Sequence, residues 1–160
     1  MGAVDLNAPP LVPLAALALA SSGSLGGPAS PAVEVRAGTY GGSTAQELPL
    51  SIRVRYDRRA AWRVRYVARC EDGTVVRGRY FSGRGTPLLA IGTDGRFRLG
   101  RSEPAEFRPG GTGSARFEFT GRLGARGGSG RWRLRLTSPP GGDGPVACTA
   151  GPLRWRVSRG

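Results

Sequence analysis

The chain has 160 residues and a formal net charge of +13, and its 24 basic residues are all Arg because it contains neither Lys nor His. This composition excludes Ser-His-Asp and Cys-His nucleophile systems, Schiff-base chemistry and Walker-type phosphate loops, and two Cys residues cannot supply a four-ligand zinc site. The length predicts one domain that can bury a real core.

Residues 1–32 differ from the rest of the chain. An apolar run at residues 11–20 precedes a Ser/Gly/Pro linker, and the run is too short to span a bilayer. It suits a secretory signal with a small-x-small cleavage site at residues 18–20, although Asp5 stands where such a signal is usually positive. We predict an extracellular or cell-envelope protein with a single domain over residues 33–160. A cytoplasmic protein with a disordered N-terminal tail is the alternative.

Beyond this segment, apolar residues alternate with Arg. The clearest case is residues 62–73, where Trp62, Tyr66 and Cys70 stand at even positions and Arg63 at an odd one. We call this even or odd position along a strand the parity of a residue. Successive side chains of a β-strand point to opposite faces, so this stretch predicts a strand with one buried and one cationic face. The Asp-Gly dipeptide at its end is a hairpin signal.

The same alternation predicts strands throughout the domain, and no stretch favours a helix. The predicted strands lie at residues 33–40, 48–56, 62–70, 74–81, 86–91, 96–99, 116–119, 131–136 and 146–157. Tyr56 is placed on the apolar face with Ile52 and Val54, and residues 100–114 and 121–130 are interpreted as loops. About seven to nine short strands predict an all-β fold, an antiparallel β-sandwich, with a β-barrel as the alternative.

The two cysteines, Cys70 and Cys148, each end an apolar run. In an exported protein a disulfide is the natural interpretation, and closing a loop of about 78 residues would stabilise the fold by roughly 4–5 kcal/mol. Two buried thiols in a cytoplasmic core are the alternative. A catalytic Cys is not expected, because no His is present to activate it.

Several short motifs, each present once, are distributed over most of residues 38–157. They are aromatic-x-Gly-x-Thr-x-Gln, Cys-x-Asp-Gly, Gly-x-Phe, a Phe-x-Gly-x-x-x-Ala-x-Gly stretch and Cys-x-x-Gly-x-x-x-Trp, at residues 40–46, 70–73, 95–97, 119–127 and 148–155. With them the chain resembles a family of small secreted all-β proteins of GC-rich bacteria. The resemblance implies a secreted β-sandwich with Cys70 paired to Cys148, and no catalytic residue. The chain departs from the family in the loop around residues 101–113 and in its weak signal peptide.

Other candidate sites have simpler interpretations. Glu103 and Glu106 could form a carboxylate pair of the glycosidase kind, the remote alternative of an enzyme acting on envelope carbohydrate, but they lie in a Pro-containing loop. The glycine spacing at residues 121–127 suits a phosphate cradle, yet it lies between two strands, which favours a hairpin. Thr44 and Gln46 are predicted to hydrogen-bond the backbone at a strand entry. We predict no metal and no cofactor.

Arginine occupies the polar face of almost every predicted strand, and Glu118 is the one acid set against it there. Like charges on neighbouring strands destabilise a sheet, so the pattern predicts a surface for an anionic polymer: a cell-wall polymer, lipid head groups or nucleic acid. The candidate polyanion-binding residues are Arg53, Arg55, Arg63, Arg65, Arg77, Arg79, Arg131, Arg133, Arg135, Arg154 and Arg156.

Two alternatives to this function stay open. GC-rich coding bias also replaces Lys by Arg, and the arginines could be a solvated face of a structural or protein-interaction module. Base stacking is not expected, because Trp62 and the other core aromatics have the opposite parity and only Phe81 shares a face with Arg77 and Arg79. The predicted binding is therefore electrostatic and salt-dependent, and the protein non-enzymatic.

Overall fold

A computed structural model describes residues 32–83, 85–107, 111–138 and 144–160. These residues form strands and no helix, so none of them belongs to a helix able to cross a bilayer. The predicted signal segment lies outside the described residues, apart from residue 32. The strands are β1 (Gly38–Thr44), β2 (Pro49–Val54), β3 (Arg59–Cys70), β4 (Val75–Phe81), β5 (Leu89–Ala90), β6 (Arg96–Glu106), β7 (Thr112–Leu123), β8 (Gly127–Thr137) and β9 (Ala147–Arg159).

The strands form one antiparallel sheet in the order β4-β3-β2-β1-β9-β8-β7-β6, and β5 pairs with β3. A further pairing joins β3 to β9, with Arg69 opposite Thr149 and Cys70 opposite Cys148. This pairing closes β1, β2, β3 and β9 into a small barrel. The predicted all-β antiparallel fold is confirmed, and the closure of one continuous sheet agrees with the barrel alternative.

The core is built from the apolar parity of each strand, as the alternation predicts. Trp62 of β3 packs against Phe117 and Phe119 of β7, with ring centroids 5.5 and 5.2 Å apart. Tyr66 of β3 packs against Trp132 of β8 at 5.5 Å. The strands β3 and β7–β8 therefore lie across the core from one another, and their outer faces point in different directions.

Gln46 completes the hydrogen bonding of β3. Val64 pairs with β2 and Arg69 with β9, which leaves Val67 between these two neighbours. The Gln46 side chain fills the gap, because its Nε2 donates to the Val67 carbonyl at 2.8 Å and the Val67 N–H donates to its Oε1 at 3.0 Å. The Gln46 N–H donates to Thr44 Oγ1 at 3.3 Å. The prediction that Thr44 and Gln46 bond the backbone is confirmed.

Three of the predicted strand boundaries are wrong. Residues 100–114 are mostly strand, because β6 and β7 form a long hairpin in which Pro104 stands opposite Ser114. The strand β6 is at the end of the sheet order, where a proline without an N–H is tolerated. Tyr56 is 97% exposed rather than buried, since β2 ends at Val54 and the chain turns immediately. The first strand begins at Gly38, not at residue 33.

Paired glycines make room for the largest core side chain. Gly121 of β7 and Gly130 of β8 stand directly opposite each other, and the buried Trp155 ring lies over both. A Cβ at either position would collide with that ring. The glycine-rich stretch at residues 121–130 thus consists mainly of strand ends around a short turn, which agrees with the hairpin interpretation.

Gly121→Ala should lower the free energy of unfolding by about 1–3 kcal/mol, because the added methyl group overpacks the site of Trp155. Gly41→Ala is the matched control, since a Cβ added there would meet no atom within 4 Å and β1 is also a strand. Urea denaturation of both variants measures the difference. Equal stability of the two variants would contradict the packing described for Trp155.

Candidate polyanion-binding surface

All eleven predicted polyanion-binding arginines are exposed, but the structure does not bring them to one face. Over most of their length, β3 and β8 lie on different sides of the core. Arg53 lies on β2 and Arg55 follows it. The β3–β4 group comprises Arg63, Arg65, Arg77 and Arg79, and the β7–β9 group comprises Arg116, Arg131, Arg133, Arg135, Arg154 and Arg156.

Three arginine pairs stand directly opposite each other on neighbouring strands, at a backbone separation of about 5 Å. Within the described residues no acidic side chain forms an ion pair with any of the six. Like charges placed in this way destabilise a sheet. The pairs are Arg65 with Arg79, Arg116 with Arg135 and Arg131 with Arg154.

A fourth opposed pair, Arg96 and Arg122, shows how the fold compensates such repulsion elsewhere. The Asp94 carboxylate lies 3.6 Å from Arg96 Nε, and the Asp94 backbone carbonyl accepts a hydrogen bond of 3.1 Å from Arg122 Nε. One turn residue therefore serves both guanidinium groups. The three other pairs lack such a partner among the described residues.

Glu118 is the acid at the centre of the β7–β9 group. Its carboxylate oxygens lie 2.9 Å from an Arg98 nitrogen and 2.5 Å from an Arg133 nitrogen, and its side chain is 22% exposed. Glu118 therefore offsets part of the positive charge of Arg98 and Arg133. Along the same two strands, Arg116 and Arg135 are left with their charges uncompensated.

A shallow depression of about 910 Å³ lies on the outer face of β6–β9. Its lining includes Arg98, Ser102, Arg116, Arg135 and Thr149. It lies beside an irregularity in the β8–β9 pairing, where the register shifts between Trp132 and Leu134. The depression therefore combines guanidinium and hydroxyl groups, which are hydrogen-bond donors to anions, with the Glu118 carboxylate, which pairs with Arg98 and Arg133.

Phe81 of β4 is the exposed aromatic side chain that the alternation predicts on the same face as Arg77 and Arg79. Phe81 is 46% exposed, and the Arg79 guanidinium lies 5.8 Å from the ring centroid. Trp62, Trp132 and Trp155 are buried, so they cannot stack on the bases of a nucleic acid. Among the described residues, the largely exposed aromatic side chains are those of Phe81 and Tyr56.

The carboxylate pair suggested for Glu103 and Glu106 does not form. The two residues are three positions apart on β6, so their side chains lie on opposite faces of the strand. Glu103 instead accepts hydrogen bonds from the hydroxyl groups of Tyr80 and Thr86, which join β6 to β4 and the segment that follows it. In the described part of the chain, no cluster of His, Cys, Asp or Glu is able to hold a metal ion.

Sequence reasoning missed the contact between Tyr80 and Glu103, because the alternation in β4 is weak and residues 100–114 resemble a loop. Burial, and next the hydrogen bond to Glu103, raise the pKa of the Tyr80 hydroxyl well above its ordinary value. Tyr80 consequently stays protonated and keeps donating to the carboxylate. The contact holds together the two strands that end the sheet order.

Tyr80→Phe should destabilise the fold by about 1 kcal/mol at neutral pH through loss of this hydrogen bond. In the wild type, the unfolded chain loses the Tyr80 proton near pH 10 while the folded chain keeps it, so stability falls as the pH rises above about 10. Tyr80→Phe should make this alkaline fall shallower, as thermal melts between pH 8 and 11 would show. Tyr56→Phe, at an exposed tyrosine, should keep the wild-type profile; a similar change in both variants would contradict the assignment.

A disulfide joins Cys70 of β3 to Cys148 of β9, with an S–S distance of 2.03 Å. The two residues are direct register partners, and Cys148 is buried at 3% exposure. The disulfide therefore lies at the pairing that closes the small barrel. The pairing implied by the family resemblance is confirmed, and the described residues contain no free cysteine.

Fold and surface together define the chain as a disulfide-linked all-β protein with an arginine-rich exterior. Compared with known proteins, the chain matches no family model, no curated protein and no solved structure. The resemblance to the family of small secreted proteins therefore stays a prediction from its motifs.

Proposed function

We propose that this protein is a non-enzymatic, secreted or cell-envelope domain that binds anionic polymers through its exposed arginines. The observation that carries the proposal is the set of three opposed arginine pairs without acidic partners among the described residues. Such pairs cost stability in the free protein. A bound polyanion would remove that repulsion. It would also release counterions, and this release is the main source of affinity in this kind of binding.

The compartment is proposed on two observations. Disulfides form and persist outside the cytoplasm, and the Cys70–Cys148 bond agrees with such a location. The apolar run at residues 11–20 has the length of a signal-peptide core. Cell-wall polymers and lipid head groups are then the anions that the domain would meet, whereas nucleic acid would be the first candidate for a cytoplasmic protein.

Retention of the oxidised, purified protein on immobilised polyanions tests this proposal. We expect retention at low ionic strength and elution as NaCl is raised towards 1 M, because exposed charges are screened within about 3 Å at that concentration. A neutral polysaccharide matrix and an acidic protein of similar size serve as controls. Absence of retention on every polyanion at low salt would overturn the proposal and favour a structural module with a solvated surface.

A further inference from the structure

One line of exposed residues crosses the closed sheet from β6 to β3. Each member is the direct register partner of the next, and all five are exposed. In order across the strands they are Ser102, Arg116, Arg135, Thr149 and Arg69. We call this line the transverse row.

The transverse row exists because the sheet closes on itself. Arg69 reaches the row only through the short β3–β9 pairing, and the adjacent register pair in that pairing is the disulfide Cys70–Cys148. Adjacent strands lie about 5 Å apart, so five strands spread the row over about 20 Å. Three arginines from distant parts of the sequence are thereby held in one line.

The guanidinium groups of the three arginines in the transverse row have no ion pair and no hydrogen-bond partner among the described residues. The same holds for the side-chain hydroxyl groups of Ser102 and Thr149. Four of its members also line the depression on β6–β9. The row is therefore an accessible set of hydrogen-bond donors with a net positive charge. Hydrogen-bond acceptors for these donors therefore come from water, from a ligand or from residues outside the described part of the chain.

The donor set favours one ligand chemistry. Arg116 and Arg135 stand side by side, and a hydroxyl group flanks each of them in the row. A sulfate ester has three free oxygens, so it can accept from two guanidinium groups and a hydroxyl with one oxygen each, whereas a carboxylate or a phosphodiester has only two free oxygens. A second oxyanion along the polymer would meet Thr149 and Arg69.

We propose that the transverse row is the binding site for a polymer that carries tetrahedral oxyanions with three free oxygens, namely sulfate ester groups, and that lies across β6, β7, β8, β9 and β3. This inference rests on the proposed function and deepens it, since it assigns the site and the ligand chemistry. The β3–β4 group and Arg53 then contribute only to the general attraction of anions.

Two triple variants with the same change in charge test the site. The row variant carries Arg69→Gln, Arg116→Gln and Arg135→Gln. The control variant carries Arg53→Gln, Arg55→Gln and Arg77→Gln at exposed arginines outside the row. The probes are a fluorescent single-stranded oligonucleotide, a poly(glycerol phosphate), dextran sulfate and poly-glutamate, each followed by anisotropy at fixed salt.

The row variant should lose about tenfold or more in affinity for dextran sulfate, while the control variant loses a few-fold through general charge. Its thermal stability without ligand should equal or exceed that of the wild type, because an opposed arginine pair is removed. The wild type should bind dextran sulfate more tightly than the two phosphodiester probes and poly-glutamate, whose charged groups have two free oxygens each.

Two results would overturn the inference while leaving the proposed function intact: equal loss of affinity in both variants, or binding of a phosphodiester probe or poly-glutamate as tight as that of dextran sulfate. Absence of binding by the wild-type protein to any probe would instead remove the proposed function. The two failures are therefore distinguishable within one set of titrations.

Discussion

Replacement of both cysteines, Cys70→Ala with Cys148→Ala, should lower the free energy of unfolding by roughly 4–5 kcal/mol. The disulfide links residues that are 78 positions apart, so it restricts a large part of the unfolded chain. It also secures the pairing of β3 with β9, of which only two register pairs are formed. Guanidinium denaturation of the oxidised wild type and the double variant measures the loss.

The reduced wild-type protein is the control for that experiment, because it lacks the bond but keeps both sulfur atoms in place. Its stability should fall close to that of the double variant, with a residual difference from packing at the buried Cys148 position. A loss below about 1 kcal/mol in both samples would contradict the role assigned to the disulfide in closing the barrel.

Trp62→Ala should cost about 4 kcal/mol, within the range for truncation of a buried aromatic side chain. Trp62 is 3% exposed and contacts Phe117 and Phe119 across the core. Its indole Nε1 also donates to the Pro87 carbonyl at 3.3 Å, so the truncation removes a hydrogen bond as well as ring contacts. Chemical denaturation monitored by circular dichroism measures the change without depending on the lost fluorophore.

Tyr56→Ala is the matched control for Trp62→Ala, because Tyr56 is a large aromatic residue that is 97% exposed. We expect its effect to stay within about 0.5 kcal/mol, as for other surface substitutions. A large loss from Tyr56→Ala would support the position on the apolar face that its parity predicts, and would contradict the turn that the structure places after β2.

The local part of the fold is predictable from the sequence because side-chain parity in a strand is a local property. Alternation around Trp62 correctly predicts β3, its buried face and the hairpin that follows it. Pro104 conceals the second part of β6, since a proline is compatible with a strand mainly at a sheet edge, and edge position is a property of the whole sheet. The exposure of Tyr56 depends on where β2 ends, which parity does not determine.

The candidate site is predictable only in part, because parity is a local property whereas the register between strands is not. Parity predicts that the arginines face solvent, and every one of the eleven candidates does. It says nothing about which arginines become neighbours, because this depends on register between strands. Arg69 and Arg135 are joined through Thr149 by pairings that close the barrel between distant segments. The sheet also curves, so one polar parity is distributed over several sides of the molecule.

The salt dependence of polyanion binding tests the central claim most directly. The dissociation constant of the oxidised wild-type protein for a phosphodiester oligomer would be measured between about 50 and 500 mM NaCl. Three or more arginine contacts predict that the logarithm of the association constant, the reciprocal of this dissociation constant, falls with log[NaCl] with a slope of roughly −2 or steeper. A slope near zero, or no binding at the lowest salt concentration, would contradict an arginine surface that binds anionic polymers.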